Sequence, residues 1–238
     1  MSVRKIAGAA AGMTTVAALS VTGLLAAPAD AATAHSKAAA CTATIQFPNK
    51  KIVVKSSTTI VPIKLAGCTN NLDTAESEIF GPHKNFLDDT AWPPRTYNMH
   101  ISDKDPADVR PGTVYSKNST GIEADGETDI NFNDGSVPMK FGTKSSIAGK
   151  RAGTKTVKLN FKFTKYAARK GFVPYAKRSV ALYKATSKAG PWTRVKFVTL
   201  NSKGRGAATV KTSRHNYYRV STGSTASYWG TTSGAIKR

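Results

Sequence analysis

Residues 157–164 read Val-Lys-Leu-Asn-Phe-Lys-Phe-Thr, and apolar and polar side chains alternate along the whole stretch. Alternation at every second residue is the pattern of a β-strand with one buried face, because successive side chains point to opposite sides of a sheet. Lys158 and Lys162 fall on the exposed side. The stretch therefore predicts a strand with an apolar inner face and a basic outer face.

Further strand-like runs follow in both directions, separated by Gly, Pro, Asn and Ser turns, and no segment has a helical period. The runs before residue 142 are short, and we expect a long loop over residues 86–106. Many short strands joined by turns are typical of β-sandwiches. The sequence predicts an all-β protein of two β-sandwich domains in tandem, over residues 41–142 and 143–238.

Four motifs in the second half carry a family resemblance. They are Val-Ala-Leu-Tyr-Lys at 180–184, Gly-Pro-Trp-Thr-Arg-Val at 190–195, Val-Thr-Leu-Asn-Ser-Lys-Gly at 198–204 and Tyr-Tyr-Arg-Val at 217–220. Residues 145–238 thus resemble the immunoglobulin-like domains of secreted actinobacterial proteins, although Asn201 stands where that family usually has Asp. The resemblance implies a spacer, adhesion or wall-association module with Trp192 and Tyr218 pointing inward, and it implies no catalytic activity.

The first 31 residues have the pattern of an export signal. Arg4 and Lys5 precede an apolar run over residues 6–27, and Ala-Asp-Ala at 29–31 fits a signal-peptidase site. We predict a cleaved signal peptide over 1–31 rather than a membrane anchor, and a flexible mature N-terminus over 32–40. No later apolar stretch approaches membrane length. The protein is expected to be secreted, and extracellular or associated with the cell envelope.

The chain has two cysteines, Cys41 and Cys68. In an exported protein an isolated pair is expected to form a disulfide. The alternative, a metal site, lacks histidines at zinc spacing nearby.

Charge is distributed very unevenly along the chain. The formal net charge is +21, yet all fourteen acidic residues lie at or before Asp134, and residues 135–238 hold 23 of the 35 lysines and arginines. A domain without carboxylates cannot form internal salt bridges, so we expect an anionic counter-surface. The candidates are an anionic cell-envelope polymer, an acidic secreted protein or the acidic part of this chain. Nucleic acid would bind only non-specifically in vitro.

The outward positions of the basic domain predict an anion-binding surface. Its residues are Lys158, Lys162, Arg194, Lys196 and Arg219; the alternative is that they are simply solvated. Tyr228 and Trp229 follow a Gly-Ser-Thr-Ala segment and form a candidate aromatic contact.

Four acidic residues recur at every second position: Glu123, Asp125, Glu127 and Asp129. On a strand they would share one face, as a docking strip for basic groups or a calcium site. The overlapping run from Asp129 fails as an EF-hand, because its glycine comes one place late and Lys140 occupies the twelfth position. The third interpretation is a plain solvated loop or strand. Calcium binding is therefore kept as an alternative only, and no cofactor is expected.

No familiar catalytic motif occurs in the sequence. We therefore predict a non-catalytic binding protein that uses its basic sandwich to hold anionic polymers. The alternatives are an adaptor or scaffold subunit of a secreted, toxin-like assembly and a calcium-binding extracellular protein.

Overall fold

The computed structural model describes residues 41–68, 72–92, 96–105, 108–123 and 129–238. These residues are built from β-strands and belong to one compact unit, so the predicted all-β class is confirmed. The predicted signal peptide and flexible N-terminus lie outside the described residues. In the part of the chain that is described, no helix has the length and apolarity to cross a bilayer.

Residues 42–141 form the first sandwich, which we call the front sandwich. Its strands are β1 (Thr42–Gln46), β2 (Ile52–Val54), β3 (Thr58–Ala66), β4 (Leu72–Phe80), β5 (Phe86–Trp92), β6 (Thr96–Ser102), β7 (Gly112–Glu123), β8 (Asn131–Asn133) and β9 (Ser136–Phe141). One sheet has the order β6-β3-β1-β8 and the other β2-β9-β7-β4-β5. After β1 the chain changes sheets, and β2 pairs with β9 in parallel.

Aliphatic side chains from both sheets fill the front core. Ile45, Ile63, Ile79, Met99 and Met139 are among the fully buried ones. The predicted disulfide is present: Cys41 directly precedes β1, Cys68 follows β3, and their Cα atoms lie 5.5 Å apart. The bond therefore ties the start of the first strand to the end of its antiparallel neighbour.

The expected long loop over residues 86–106 is wrong, because most of it forms β5 and β6. Strand β5 lies at the edge of its sheet and pairs only with β4. An edge strand tolerates consecutive acidic residues, here Asp88 and Asp89, which hide the alternation that sequence reasoning depends on.

Residues 143–237 form the second sandwich, the back sandwich. Its strands are β10 (Thr143–Arg151), β11 (Thr156–Ala167), β12 (Gly171–Pro174), β13 (Ser179–Ala185), β14 (Thr193–Thr199), β15 (Arg205–Lys211), β16 (Tyr217–Thr222), β17 (Thr231–Thr232) and β18 (Ile236–Lys237). In one sheet β11 pairs with β10, β12 and β15, and in the other β16 pairs with β13, β17 and β18 while β14 pairs with β13. These pairings match strands A-B-E and C-F-G of an immunoglobulin-like sandwich.

The alternating stretch over residues 157–164 lies in β11, as predicted. Val157, Leu159, Phe161 and Phe163 point into the back core. Tyr218 is fully buried there too, as expected.

Trp192 differs from the expectation, because it is only half-buried and lies outside the core. The register between β13 and β14 shifts after Leu182, so that Arg194 and Lys196 pair with Tyr183 and Leu182 and leave Val195 between them. A bulge of one residue reverses which side chains face inward beyond it. Without the bulge, the alternation of β14 would point Trp192 inward; with the bulge, its side chain lies on the outer face.

The two sandwiches are joined by a polar and aromatic junction. Tyr166, near the end of β11, is buried within the front core cluster. Its phenol donates to Asp103 Oδ2 at 2.6 Å, and the backbone N–H of Arg169 donates to the same oxygen at 2.9 Å. These hydrogen bonds hold the pKa of the Asp103 carboxyl below its usual value. Burial, followed by the bond to Asp103, raises the pKa of Tyr166 to about 12.

Candidate anion-binding face

The outer surface of the β10–β11–β15 sheet carries exposed cations that strand register brings together. Side chains of Lys150, Lys158, Lys162 and Arg205 are exposed on it, and these four residues are called the basic face below. They project outward because the alternate residues of β11 and β15, such as Leu159 and Ala208, are buried in the core.

Strand register places like charges directly opposite each other on the basic face. Lys158 pairs with Lys150 of β10, and Lys162 pairs with Arg205 of β15. Like charges in directly opposed positions destabilise a sheet, by less than about 1 kcal/mol for each exposed pair. The fold therefore accepts two unfavourable pairs on one surface.

The four cations of the basic face have no partners among the described residues: their side chains make no hydrogen bond, ion pair or ring contact there. Some other cations of the back sandwich do have partners. Arg151 donates to the carbonyl of Thr212 at 3.1 Å, and Lys165 lies 5.0 Å from the ring centroid of Tyr228. Carbonyl groups and aromatic rings thus take the place of carboxylates for some cations, whereas Lys177, Lys184 and Lys188, like the cations of the basic face, show no side-chain partner among the described residues.

A neutral row lies between the two cationic pairs. Asn160 is flanked by Ala148 of β10 and Ala207 of β15, and all three are exposed. A cavity of about 800 Å³ opens over this row, and Lys162 and Arg205 contribute to its lining. A second cavity of about 360 Å³ adjoins it and is lined by Asn160, Ala207 and basic residues of the other pair. We call this depression the trough.

The structure brings together three of the five predicted anion-binding residues. Lys158 and Lys162 belong to the basic face, and Lys196 reaches it from β14, lining the smaller cavity with Lys150 and Lys158. Sequence reasoning missed Lys150 and Arg205. The signal around both is weaker than over residues 157–164, because small residues occupy inward and outward positions alike over 145–150 and 205–211.

Arg194 and Arg219 lie elsewhere, on the outer face of the other sheet. The guanidinium of Arg219 stacks 4.1 Å from the Trp192 ring and 5.7 Å from that of Tyr183. Arg194 lies 4.7 Å from the ring of Phe197, a side chain that is 58% exposed. These two arginines are already engaged with aromatic rings and do not extend the basic face.

The candidate aromatic contact, Tyr228 and Trp229, lies at the junction of the two sandwiches. The indole Nε1 of Trp229 donates to the carbonyl of Ile52 at 2.8 Å, and its backbone pairs with Phe141. The ring of Tyr228 packs 5.7 Å from that of Phe141. Both residues are half-buried, so the contacts that the structure shows for them are internal.

The acidic strip can be located only in part. Asp129 is exposed and forms an isolated bridge with Ile122. The side chain of Glu123, and residues Asp125 and Glu127, lie outside the described residues. Among the residues that are described, no group of three or more His, Cys, Asp or Glu side chains could hold a metal ion.

No family model matches this chain, and no curated protein matches its sequence. Among solved structures it is similar to a two-domain fibronectin type-III segment of chicken tenascin, with a TM-score of 0.37 and 7% identity over 82% of this chain and 95% of that one. It is also similar to the D0-D1 domain of intimin, with a TM-score of 0.25 and 11% identity over 82% and 96% of the two chains. At these scores the immunoglobulin-like assignment rests on the strand pairings described above.

Proposed function

We propose that this protein is a secreted, non-catalytic binding protein that holds an anionic polymer of the cell envelope on its basic face. One observation carries the proposal: four exposed cations, which show no side-chain partner among the described residues, lie in two directly opposed pairs on one sheet surface. A polyanion laid on the surface would supply the counter-charges that the back sandwich lacks, since residues 135–238 contain no Asp or Glu.

The chemistry of the basic face suits binding more than catalysis. Its cations and the Asn160 amide can attract and position an anion, and the small side chains of Ala148 and Ala207 leave room for it. No carboxylate, imidazole or thiol is found among the residues that line either cavity of the trough. General acid–base chemistry most often depends on such groups.

The cellular setting favours an envelope polymer over nucleic acid. The signal-peptide pattern and the disulfide both fit export to an oxidising compartment. An acidic secreted protein is the other partner that this charge could attract. Nucleic acid would bind through phosphate neutralisation in vitro without being the physiological ligand.

The proposal is tested by a charge-matched pair of triple variants. The test variant carries Lys150→Gln, Lys158→Gln and Lys162→Gln; the control carries Lys177→Gln, Lys184→Gln and Lys188→Gln, which are also exposed but lie off the basic face. Affinity for poly(glycerol phosphate) is measured over a range of salt concentrations. We expect the test variant to bind more weakly. The slope of log affinity against log salt concentration should become shallower by about 2, while the control changes little.

Equal losses in the two triple variants would overturn the proposal, because binding would then follow net charge rather than the basic face. A pull-down from culture supernatant adds a second test. If discrete acidic proteins stay bound at high salt while poly(glycerol phosphate) does not bind, the adaptor alternative replaces the proposal.

A further inference from the structure

We infer that the ligand of the basic face is a slender, hydroxyl-bearing polyanion that lies in the trough and crosses the strands. This inference rests on the proposed function and deepens it, because it selects one class among the anionic polymers. A polyol phosphate chain has the required chemistry: single, narrow, negatively charged at intervals and rich in hydroxyl groups between the charges.

The shape of the trough sets the direction of the ligand. Its floor is the row Ala148–Asn160–Ala207, which runs across three strands and therefore spans about 10 Å. The larger cavity continues around the edge of β15 to Leu200 and Asn201, beyond β14. A chain that follows the trough would thus cross the whole sheet and leave at its edge.

The walls of the trough set the charge and the width of the ligand. Lys158 and Lys162 lie on opposite sides of the floor, two residues before and two residues after Asn160 on β11. Their Cα atoms are therefore about 13 Å apart. Each has a second cation opposite it, Lys150 or Arg205. A narrow polyanion in the trough meets cations on both sides at once. Duplex DNA is much wider and stiffer than a single polyol phosphate chain, so it would rest on the lysine tips.

The floor of the trough sets the chemistry between the charges. The Asn160 amide both donates and accepts hydrogen bonds, which suits hydroxyl groups. The flanking alanine methyl groups leave space where longer side chains would close the trough. A polymer with neutral hydroxylated units between its anionic groups matches a neutral polar floor between cationic walls.

The test fills the trough without changing any charge. The double variant Ala148→Ile, Ala207→Ile places two strand-favouring side chains at exposed positions, so folding should be preserved. Ala189→Ile, at an exposed turn position between β13 and β14, is the matched control. We expect the double variant to bind poly(glycerol phosphate) at least about tenfold more weakly, while its affinity for duplex DNA stays within about twofold.

Two results would overturn the inference while leaving the proposed function intact. One is unchanged affinity for poly(glycerol phosphate) in the double variant, and the other is an equal loss for both probes. Failure of the proposed function is seen separately, in the lysine-to-glutamine triple variant. On the unaltered protein, poly(glycerol phosphate) should shift the methyl NMR signals of Ala148 and Ala207 much more than duplex DNA does, and equal shifts would contradict the inference.

Discussion

The phenol of Tyr166 and the carboxylate of Asp103 form a 2.6 Å hydrogen bond that links the back sandwich to the front one. Asp103 is 5% exposed and Tyr166 3% exposed, so the bond is shielded from water. A charged acceptor in such a position makes one of the stronger kinds of hydrogen bond. This bond therefore helps to fix the orientation of the back sandwich relative to the front one, together with the contacts of Trp229 and Tyr228.

Replacing Tyr166→Phe should destabilise the protein by about 2 kcal/mol, because a buried charged acceptor loses a donor. Tyr97→Phe is the matched control, since Tyr97 donates to Asp88 at 2.9 Å within the front sandwich, where Asp88 is only half-buried. We expect the control to lose about 1 kcal/mol or less. Urea unfolding measures both, and a larger loss in the control would contradict the role of the junction bond.

The same tyrosine predicts a loss of stability in alkali. The pKa of Tyr166 is about 12 in the folded protein, against about 10 for an exposed tyrosine. Its contribution is therefore complete below about pH 10 and disappears as the pH rises through about 12. Burial also raises the pKa of Tyr97 and Tyr218, which adds a common background.

The comparison of wild type with Tyr166→Phe isolates this effect. Between about pH 10 and pH 12 the wild-type urea midpoint should fall more steeply than that of the variant, because only the wild type must keep Tyr166 protonated. Parallel slopes would show that Tyr166 is not the group responsible.

The like-charge pairs on the basic face predict a stabilising substitution. Lys158→Gln removes the repulsion between Lys158 and Lys150 and should raise stability by a few tenths of a kcal/mol at low salt. The gain should fade as salt is added, because screening already weakens the repulsion. Lys184→Gln is the control, since Lys184 faces Tyr218 and Thr193 across the sheet and has no opposed cation. Thermal unfolding at low and high salt measures the difference, and an equal gain in the control would refute the explanation.

Trp229 should prove important for stability rather than for binding. Trp229→Phe removes the donor for the Ile52 carbonyl and weakens the stacking of Lys140, whose Nζ lies 4.8 Å from the indole centroid. We expect a loss of about 1 to 3 kcal/mol with affinity for poly(glycerol phosphate) unchanged. Trp192→Phe, which keeps a ring beside Arg219, should cost less. A large loss of affinity for poly(glycerol phosphate) in Trp229→Phe would contradict this prediction and show that Trp229 takes part in binding.

The sequence was most informative where one strand is buried on one side only. The alternation over residues 157–164 predicts β11, its inner face and two of the cations on the basic face. Strand β10 was missed, because its inward positions are filled by Ser145, Ile147 and Gly149, which give a weak pattern. Because β10 was not predicted, the pairing of Lys150 with Lys158 could not be inferred from the sequence.

Other features depend on contacts between residues far apart in the chain. Tyr166 is out of phase with the buried odd-numbered positions 157–163 of β11, and it packs with the front core rather than the back one. The bulge that turns Trp192 outward depends on the register between two strands. Local periodicity contains no information on either point, so the sequence alone could not show that Trp192 faces outward or that Tyr166 packs in the front core.

The absence of Asp and Glu after residue 134 also fixes how the back sandwich responds to its surroundings. Side-chain carboxylates are the groups by which most proteins change charge in acid, and this sandwich has none. The positive charge of its lysines and arginines therefore stays almost constant over a broad range of acidic pH. Under the proposed function, ionic strength would therefore control release of the polymer more than acidity would.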